Sequence, residues 1–264
     1  MFTELNALLD CIPSRPPKGQ FILLSDNLTD GTFILHHYIS LFLKGGHKVC
    51  LVSLSQSFSH YNAVGQKLGV NLSLAKEKNQ LVFIDGLQCS LQLFASSDDS
   101  MQNNPLVCIR DSKTTLQPLY EMVRNAVCNS DGKVETPVLL LIDDLSILLS
   151  LGISLISVYD FMHYCVVMLC GSIQSVGCLV TLIHSDKDEE NSLLLRHLLY
   201  SSHLHLHMNG LSSGFCKDVH GELSIHWNDP WQILPSRQRR KIYQYKIQDK
   251  HVSFFAPGTS AAVL

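Results

Sequence analysis

Charge is the scarcest ingredient of this sequence. Of 264 residues, 20 are Lys or Arg and 23 are Asp or Glu, 16% together, where a soluble protein typically carries about 25%. A formal charge of −3 and a pI near 6.5 exclude a strongly basic nucleic-acid binder of the histone kind. C-x-x-C pairs are absent as well. The nine cysteines, at positions 11, 50, 89, 108, 128, 165, 170, 178 and 216, are odd in number and scattered. Several lie in apolar runs such as Val49-Cys50-Leu51-Val52, which excludes a disulfide framework and predicts reduced, buried thiols in a cytosolic or nuclear protein. The N-terminus, Met1-Phe2-Thr3-Glu4, has no basic stretch followed by an apolar one, so no signal peptide is expected. A membrane span is also missing. Leu145 to Tyr159 is uncharged, but its 15 residues fall short of the roughly 20 that a spanning helix needs. Phe161 to Ser185 is uncharged too, and Gly171, Gln174 and Gly177 break it into helix, turn and strand. A soluble chain without repeats or low-complexity linkers is expected.

What the chain does have is leucine. Its 43 leucines equal its charged residues in number, hydrophobic content is 46% and mean hydropathy is +0.14, which excludes a largely disordered chain. The length suits one large α/β domain or two small ones and allows a sizeable core. So few charges for so much apolar content predict a surface that something else covers.

Apolar runs of strand length alternate with stretches of helical period. Gln20 to Leu24, Lys48 to Val52, Leu81 to Ile84, Val138 to Ile142 and Cys178 to Ile183 read as buried strands. Thr32 to Lys44, closed by Gly45-Gly46, reads as a helix, as do Tyr61 to Leu68, Leu116 to Cys128, Ile153 to Cys170 and Glu189 to Leu199. Residues 88–113, rich in Ser, Asp and Asn, read as an irregular insertion. Fully apolar strands separated by helices imply a mostly parallel sheet covered on both faces. From about residue 203 glycines punctuate short alternating segments, and Tyr243 to Gln248 with His251 to Phe255 flank Asp249-Lys250 like a hairpin. One domain over 1–264 is expected, with a core over about 18–200 and an antiparallel β extension over about 201–256.

The first strand, turn and helix stand where a phosphate loop sits in nucleotide-binding α/β proteins. The template G-x-x-x-x-G-K-[ST] wraps phosphates with backbone N–H groups, reaches them with Lys and holds Mg²⁺ with the hydroxyl. Here Ser25 replaces the first glycine, Asp30 the second and Gly31 the lysine, and only the hydroxyl of Thr32 remains. Asp26 and Asp30 add negative charge where phosphate would have to be held. Asp30 is instead suited to cap the helix that follows. The companion motif is intact in form: an apolar strand, Val138 to Ile142, ends in Asp143 and Asp144. Such acids hold Mg²⁺ and water in ATPases, or they cap the next segment. His184 ends the following strand, as a polar sensor or as a plain strand-end histidine.

Other clusters carry less. His203, His205 and His207 share one strand face, and a metal would need a further ligand such as Cys216, His220 or His226. Histidines on an interface-facing strand are the plainer alternative. Cys165 and Cys170 with His163 fit a packed core better than a nucleophile. Ser53 to His60 is a hydroxyl-rich loop, for ligand, partner or solvent. The one basic cluster, Arg237, Arg239, Arg240 and Lys241, sits in an expected loop near Trp227, Trp231, Tyr243 and Tyr245. Cations beside aromatics suit single-stranded RNA, and a solvated loop beside ordinary strand aromatics is the plainer alternative.

Gln56-Ser-Phe-Ser-His-Tyr61, Val64-Gly-Gln-Lys-Leu-Gly69, Val138 to Gly152, Gly214-Phe-Cys-Lys-Asp-Val-His-Gly221, Tyr243 to Lys250 and Val252-Ser-Phe-Phe255 carry a more specific signal. Together they resemble the subunit-six family of the Elongator complex, of the vertebrate kind, over nearly the whole chain. The resemblance implies a RecA-like, P-loop NTPase-like α/β fold with a degenerate phosphate loop. It also implies a hetero-hexameric ring with Elongator subunits four and five, serving a catalytic subcomplex of subunits one to three. That ring is associated with ATP hydrolysis and with binding and release of tRNA, for wobble-uridine modification to 5-methoxycarbonylmethyl and 5-carbamoylmethyl derivatives. The family's chemistry belongs to another subunit, so a non-catalytic chain, a pseudo-ATPase without cofactor or metal, cytoplasmic and also nuclear, is expected. The competing expectation is an ATPase that uses Asp143 or Asp144 at an unorthodox site.

Overall fold

The fully buried strand Val138–Asp143 lies inside a sheet of nine described strands. The computed structural model describes residues 2–95, 104–110, 115–185, 188–211, 214, 216–228, 239–248 and 250–257. In chain order its elements are α1 (Thr3–Leu9), β1 (Gln20–Asn27), α2 (Thr32–Lys44), β2 (Lys48–Ser53), α3 (Phe58–Lys67), α4 (Leu72–Glu77), β3 (Leu81–Asp85) and α5 (Gly86–Ala95). After a 3-10 turn at Val107–Arg110 come α6 (Gln117–Val127), β4 (Val138–Asp143), α7 (Ser146–Ser150), α8 (Leu155–Cys170), β5 (Gly177–His184) and α9 (Glu189–Ser201). The strands β6 (Leu204–Asn209), β7 (Gly221–Trp227), β8 (Arg239–Ile247) and β9 (Val252–Phe255) finish the chain.

The sheet order is β3-β2-β4-β5-β1-β6-β7-β8-β9. Pairing is parallel from β3 through β6 and antiparallel from β6 to β9. One strand, β5, therefore separates the strand that feeds the degenerate loop from the strand that ends in Asp143. This is the RecA-like arrangement expected from the sequence, and the C-terminal strands continue the same sheet.

Alternation along each strand builds two cores. On β1, Ile22 and Leu24 face a cluster shared with α1 to α4, while Phe21 and Leu23 face one shared with α5 to α9. Helix α2 is buried at eleven of its thirteen positions, which is why its sequence is apolar almost all round. It stops at Gly45-Gly46, where Gly46 takes φ +74.

Several local expectations need correction. Residues 88–95 complete α5, and Leu93 is buried. Asn104 donates through Nδ2 to Cys89 O (2.9 Å), and Leu106 is fully buried. Apolar anchors thus order parts of a segment whose polar composition suggested irregularity; 96–103 and 111–114 lie outside the described residues. Helix α3 starts at Phe58, earlier than expected, because Ser57 caps it by accepting the His60 N–H (3.4 Å). The helix expected from Ile153 begins at Leu155, after a separate short α7 and a turn at Gly152 (φ +86). The basic cluster is not a loop, since Arg239, Arg240 and Lys241 belong to β8; Arg237 lies outside the described residues. The expected hairpin is present as β8 and β9, with Ile247 opposite Val252.

All eight cysteines with described side chains are free thiols. No described helix is long and apolar enough to cross a membrane.

Candidate functional site

The C-terminal ends of β1, β4 and β5 meet where a nucleotide-binding member of this fold would hold phosphate and metal. Register sets who meets whom: Asp26 on β1 stands opposite His184 on β5. Asp26 is 1% exposed. One of its oxygens, Oδ2, accepts the Gly31 N–H (2.9 Å), closing the loop onto its own strand. Its other oxygen lies 2.5 Å from His184 Nδ1. His184 Nε2 in turn lies 3.2 Å from Asp144 Oδ2. The imidazole is held as a cation: the bonds to Asp144 and then Asp26 raise its pKa from 6.5 to about 11, against an opposing push from burial. Asp144 keeps its place through a left-handed backbone (φ +68) and an Asx turn, accepting the Ser146 N–H at 3.0 Å.

The loop is therefore held by the chain's own side chains. A carboxylate takes the Gly31 N–H, and an imidazolium stands between the two acids. A Cβ built on Gly31 would run into Met208 Cε, so no side chain fits at the lysine position without a shift of Met208. Asp30 accepts the Thr32 N–H (2.8 Å) and so sits at the start of α2.

Asp143 points elsewhere. It is fully buried, and its Oδ2 accepts from Ser55 Oγ (2.6 Å) and, at 3.5 Å, from Ser53 Oγ. The nearby Tyr61 hydroxyl also favours its ionised form. Its Oδ1 has no partner. Burial raises its pKa above the usual carboxylate value despite these hydroxyls. The hydroxyl-rich stretch Ser53 to His60 is thus explained in part, because its serines hold Asp143.

The histidines do share a face. Ser25 Oγ lies 2.7 Å from His205 Nε2 and 2.8 Å from His207 Nδ1, and the His226 ring is 5.7 Å from that of His205. Burial lowers the pKa of His205 to about 3, and that of His207 falls as well. His203 Nδ1 accepts the Phe21 N–H (3.1 Å), and His220 Nδ1 accepts the Ile247 N–H (3.2 Å). Their lone pairs are spent within the sheet. No group of three or more His, Cys, Asp or Glu among the described residues is placed to hold a metal ion. Cys165 and Cys170 are buried and their thiols are pushed up, that of Cys170 to about 12, as a packed core requires.

The basic cluster is divided by strand alternation. Lys241 lies opposite Ile225, and its Nζ sits 5.7 Å over the Trp227 ring. Arg240 lies opposite His226, on the other face. What a one-dimensional reading takes as one patch is two. An open groove of about 420 Å³ between α6 and α8, lined in part by Tyr120, Arg124, Asp160 and Tyr164, is separate from the strand-end site.

Sequence reasoning assigned Asp26 only unwanted charge and left His184 between a polar sensor and a plain strand-end histidine. The missing signal was strand order: once β5 lies beside β1, residues of matching register at both strand ends must touch.

The family model described as Elongation complex protein 6 matches residues 2–249. Elongator complex protein 6 of Xenopus laevis is 49% identical over 266 residues, covering 100% of both chains. The human protein of that name is 47% identical over 271 residues, again covering 100% of both. Its Dictyostelium discoideum namesake is 25% identical over 317 residues, covering 92% of each. Among solved structures, an uncharacterized Pyrococcus horikoshii protein in complex with an unknown peptide superposes with a TM-score of 0.61 at 12% identity, covering 96% of each chain, a likeness of fold. On a family match that spans most of its length and full-length relatives near half identical, this chain belongs to the Elongator complex protein 6 family.

Proposed function

We propose that the chain is a non-catalytic, structural subunit of the Elongator assembly. In this reading it joins subunits four and five in a hetero-hexameric RecA-like ring. The ring supports the catalytic subcomplex of subunits one to three in wobble-uridine modification of tRNA, through binding and release of the tRNA, in the cytoplasm and the nucleus. The observation that carries the non-catalytic part is the Asp26–His184–Asp144 clamp. A nucleotide triphosphate would have to break two contacts to a buried carboxylate and bring its own charge beside it, with no lysine to offset the repulsion. The fold is retained for assembly, and its sparse charge suits a subunit with covered flanks.

Titration of the isolated chain with Mg-ATP tests this directly. No binding up to millimolar nucleotide is expected. Micromolar affinity that Asp143→Ala abolishes would overturn the purely structural reading in favour of the ATPase alternative, for which the unpartnered Asp143 oxygen is the supporting feature.

We infer that any direct RNA contact of the basic cluster Arg237, Arg239, Arg240 and Lys241 is made from one face of β8. The aromatic support under Lys241 favours the face that carries Trp227. Lys241→Ala should then weaken tRNA binding by the assembled ring and lower its salt dependence, while Arg240→Ala, on the other face, should do neither. Equal effects of the two substitutions would remove the assignment to that face.

A further inference from the structure

Among the described residues, four other than glycine adopt a left-handed backbone: Asp10, Leu28, Asn79 and Asp144. Three of them are Asp or Asn, which tolerate that conformation by local hydrogen bonding. Leu28, at φ +57, is the exception. Its side chain is 82% exposed, so the free chain gains no packing from it. Glycine or asparagine would make the same turn with less strain and less apolar surface in water.

The loop that presents Leu28 is firmly tied. The Gly210 N–H donates to Asn27 O (2.8 Å), Thr29 Oγ1 and the Tyr245 hydroxyl share a bond of 2.9 Å, and Gly31 is tied to Asp26. Gly210 itself packs so closely under Leu28 O that it has no room for a Cβ. A strained, rigidly mounted leucine in water has the form of an anchor side chain without its socket. Exposed leucines elsewhere, such as Leu74, Leu91 and Leu193, ride on helices without positive φ and call for no such account. The charge beside the anchor selects the partner. Asp30 is exposed two residues on, and an acid there repels RNA phosphate and anionic lipid but suits a protein rim bearing Lys or Arg.

We propose that Leu28 is a docking anchor, inserted from the former phosphate loop into an apolar socket with a basic rim on a neighbouring protein subunit. This rests on the assembly reading above and names one contact that makes it.

The test co-expresses the full-length chain with Elongator subunits four and five, follows assembly by native mass and titration, and melts the chain alone. Leu28→Asn and Leu28→Gly preserve the turn. Each should leave the melting temperature of the free chain unchanged or raised, yet weaken assembly at least about tenfold, equivalent to about 1.4 kcal/mol. Leu28→Met, which keeps an apolar tip, should assemble like the unaltered chain. Undiminished assembly of both the Asn and Gly variants overturns the anchor and leaves the assembly reading standing. A lowered melting temperature in both assigns Leu28 to the fold and overturns the anchor equally. Failure of the unaltered chain to join subunits four and five overturns the assembly reading itself, and the anchor with it.

Discussion

Replacing His184 by Gln removes the one cation that, among the described residues, stands between two buried carboxylates, Asp26 at 1% and Asp144 at 5% exposure. Breaking one partner out of a fully buried ion pair costs about 3–5 kcal/mol, because the remaining charge stays buried and uncompensated. Here the imidazole is 34% exposed, so water screens part of the field and the expected loss is about 2–3 kcal/mol. Urea unfolding should show it as a midpoint lowered by about 1 M at a slope of about 2–3 kcal/mol/M. The pH dependence identifies the cause. A group whose folded pKa is raised contributes its full stability below its unfolded value, and loses it as pH rises through the folded value. For His184 that window runs from 6.5 to about 11. The gap between the unaltered chain and the variant should therefore shrink from neutral pH to about pH 9.5, where roughly a third remains. Adding Asp26→Asn to His184→Gln should recover part of the loss, since one buried charge is then gone. A midpoint that moves by less than about 0.2 M, or a gap that ignores pH, would refute the clamp.

Asp143→Asn should act in the opposite direction. Burial raises the Asp143 pKa above 3.8, so ionisation costs the folded state stability as pH rises through that raised value. The amide should then melt higher than the acid at pH 7, by about 1 kcal/mol, with the difference vanishing below about pH 4; a variant less stable at neutral pH would show that the charge is needed. Leu106→Ala should cost about 2–4 kcal/mol, since Leu106 is fully buried, while Leu91→Ala, at 60% exposure, should cost less than about 0.5 kcal/mol. Equal denaturation midpoints for those two would mean that the polar segment does not pack as described. Native alkylation read by mass spectrometry should modify half-buried Cys89 and Cys128 well before Cys50, Cys165 and Cys178, which react only on unfolding.

The elements with the sharpest limits in the sequence were those buried on every side, while α6 and α9 were legible from their helical period. Helix α2 and strand β4 are apolar almost throughout, so no surface residue blurs their limits. Where a short apolar anchor lies within polar residues, as Leu106 does, composition pointed to irregular structure and the packing was missed. Helices α1 and α4, of seven and six residues, are too short to show a period. The loss of the phosphate-loop lysine was legible from Gly31 alone. What replaced it was not, because Asp26 and His184 are far apart in the chain and meet only through the placement of β5 next to β1. The split of the basic cluster follows from alternation, and was hidden by reading Arg239 to Lys241 as a loop. The backbone of Leu28 leaves no mark in its own residue type, which is the reason it stands out.

The central place of β1 has a consequence for synthesis. This strand pairs only with β5 and β6, whose residues follow it by about 160 to 180 positions. At roughly 5–20 residues per second, Phe21 to Leu24 wait on the order of ten seconds or more for their neighbours to leave the ribosome. Until then an apolar strand with two open edges is available to any other unpaired strand. The nascent chain therefore carries an unpaired apolar strand for most of its translation, and that exposure ends only once β6 emerges.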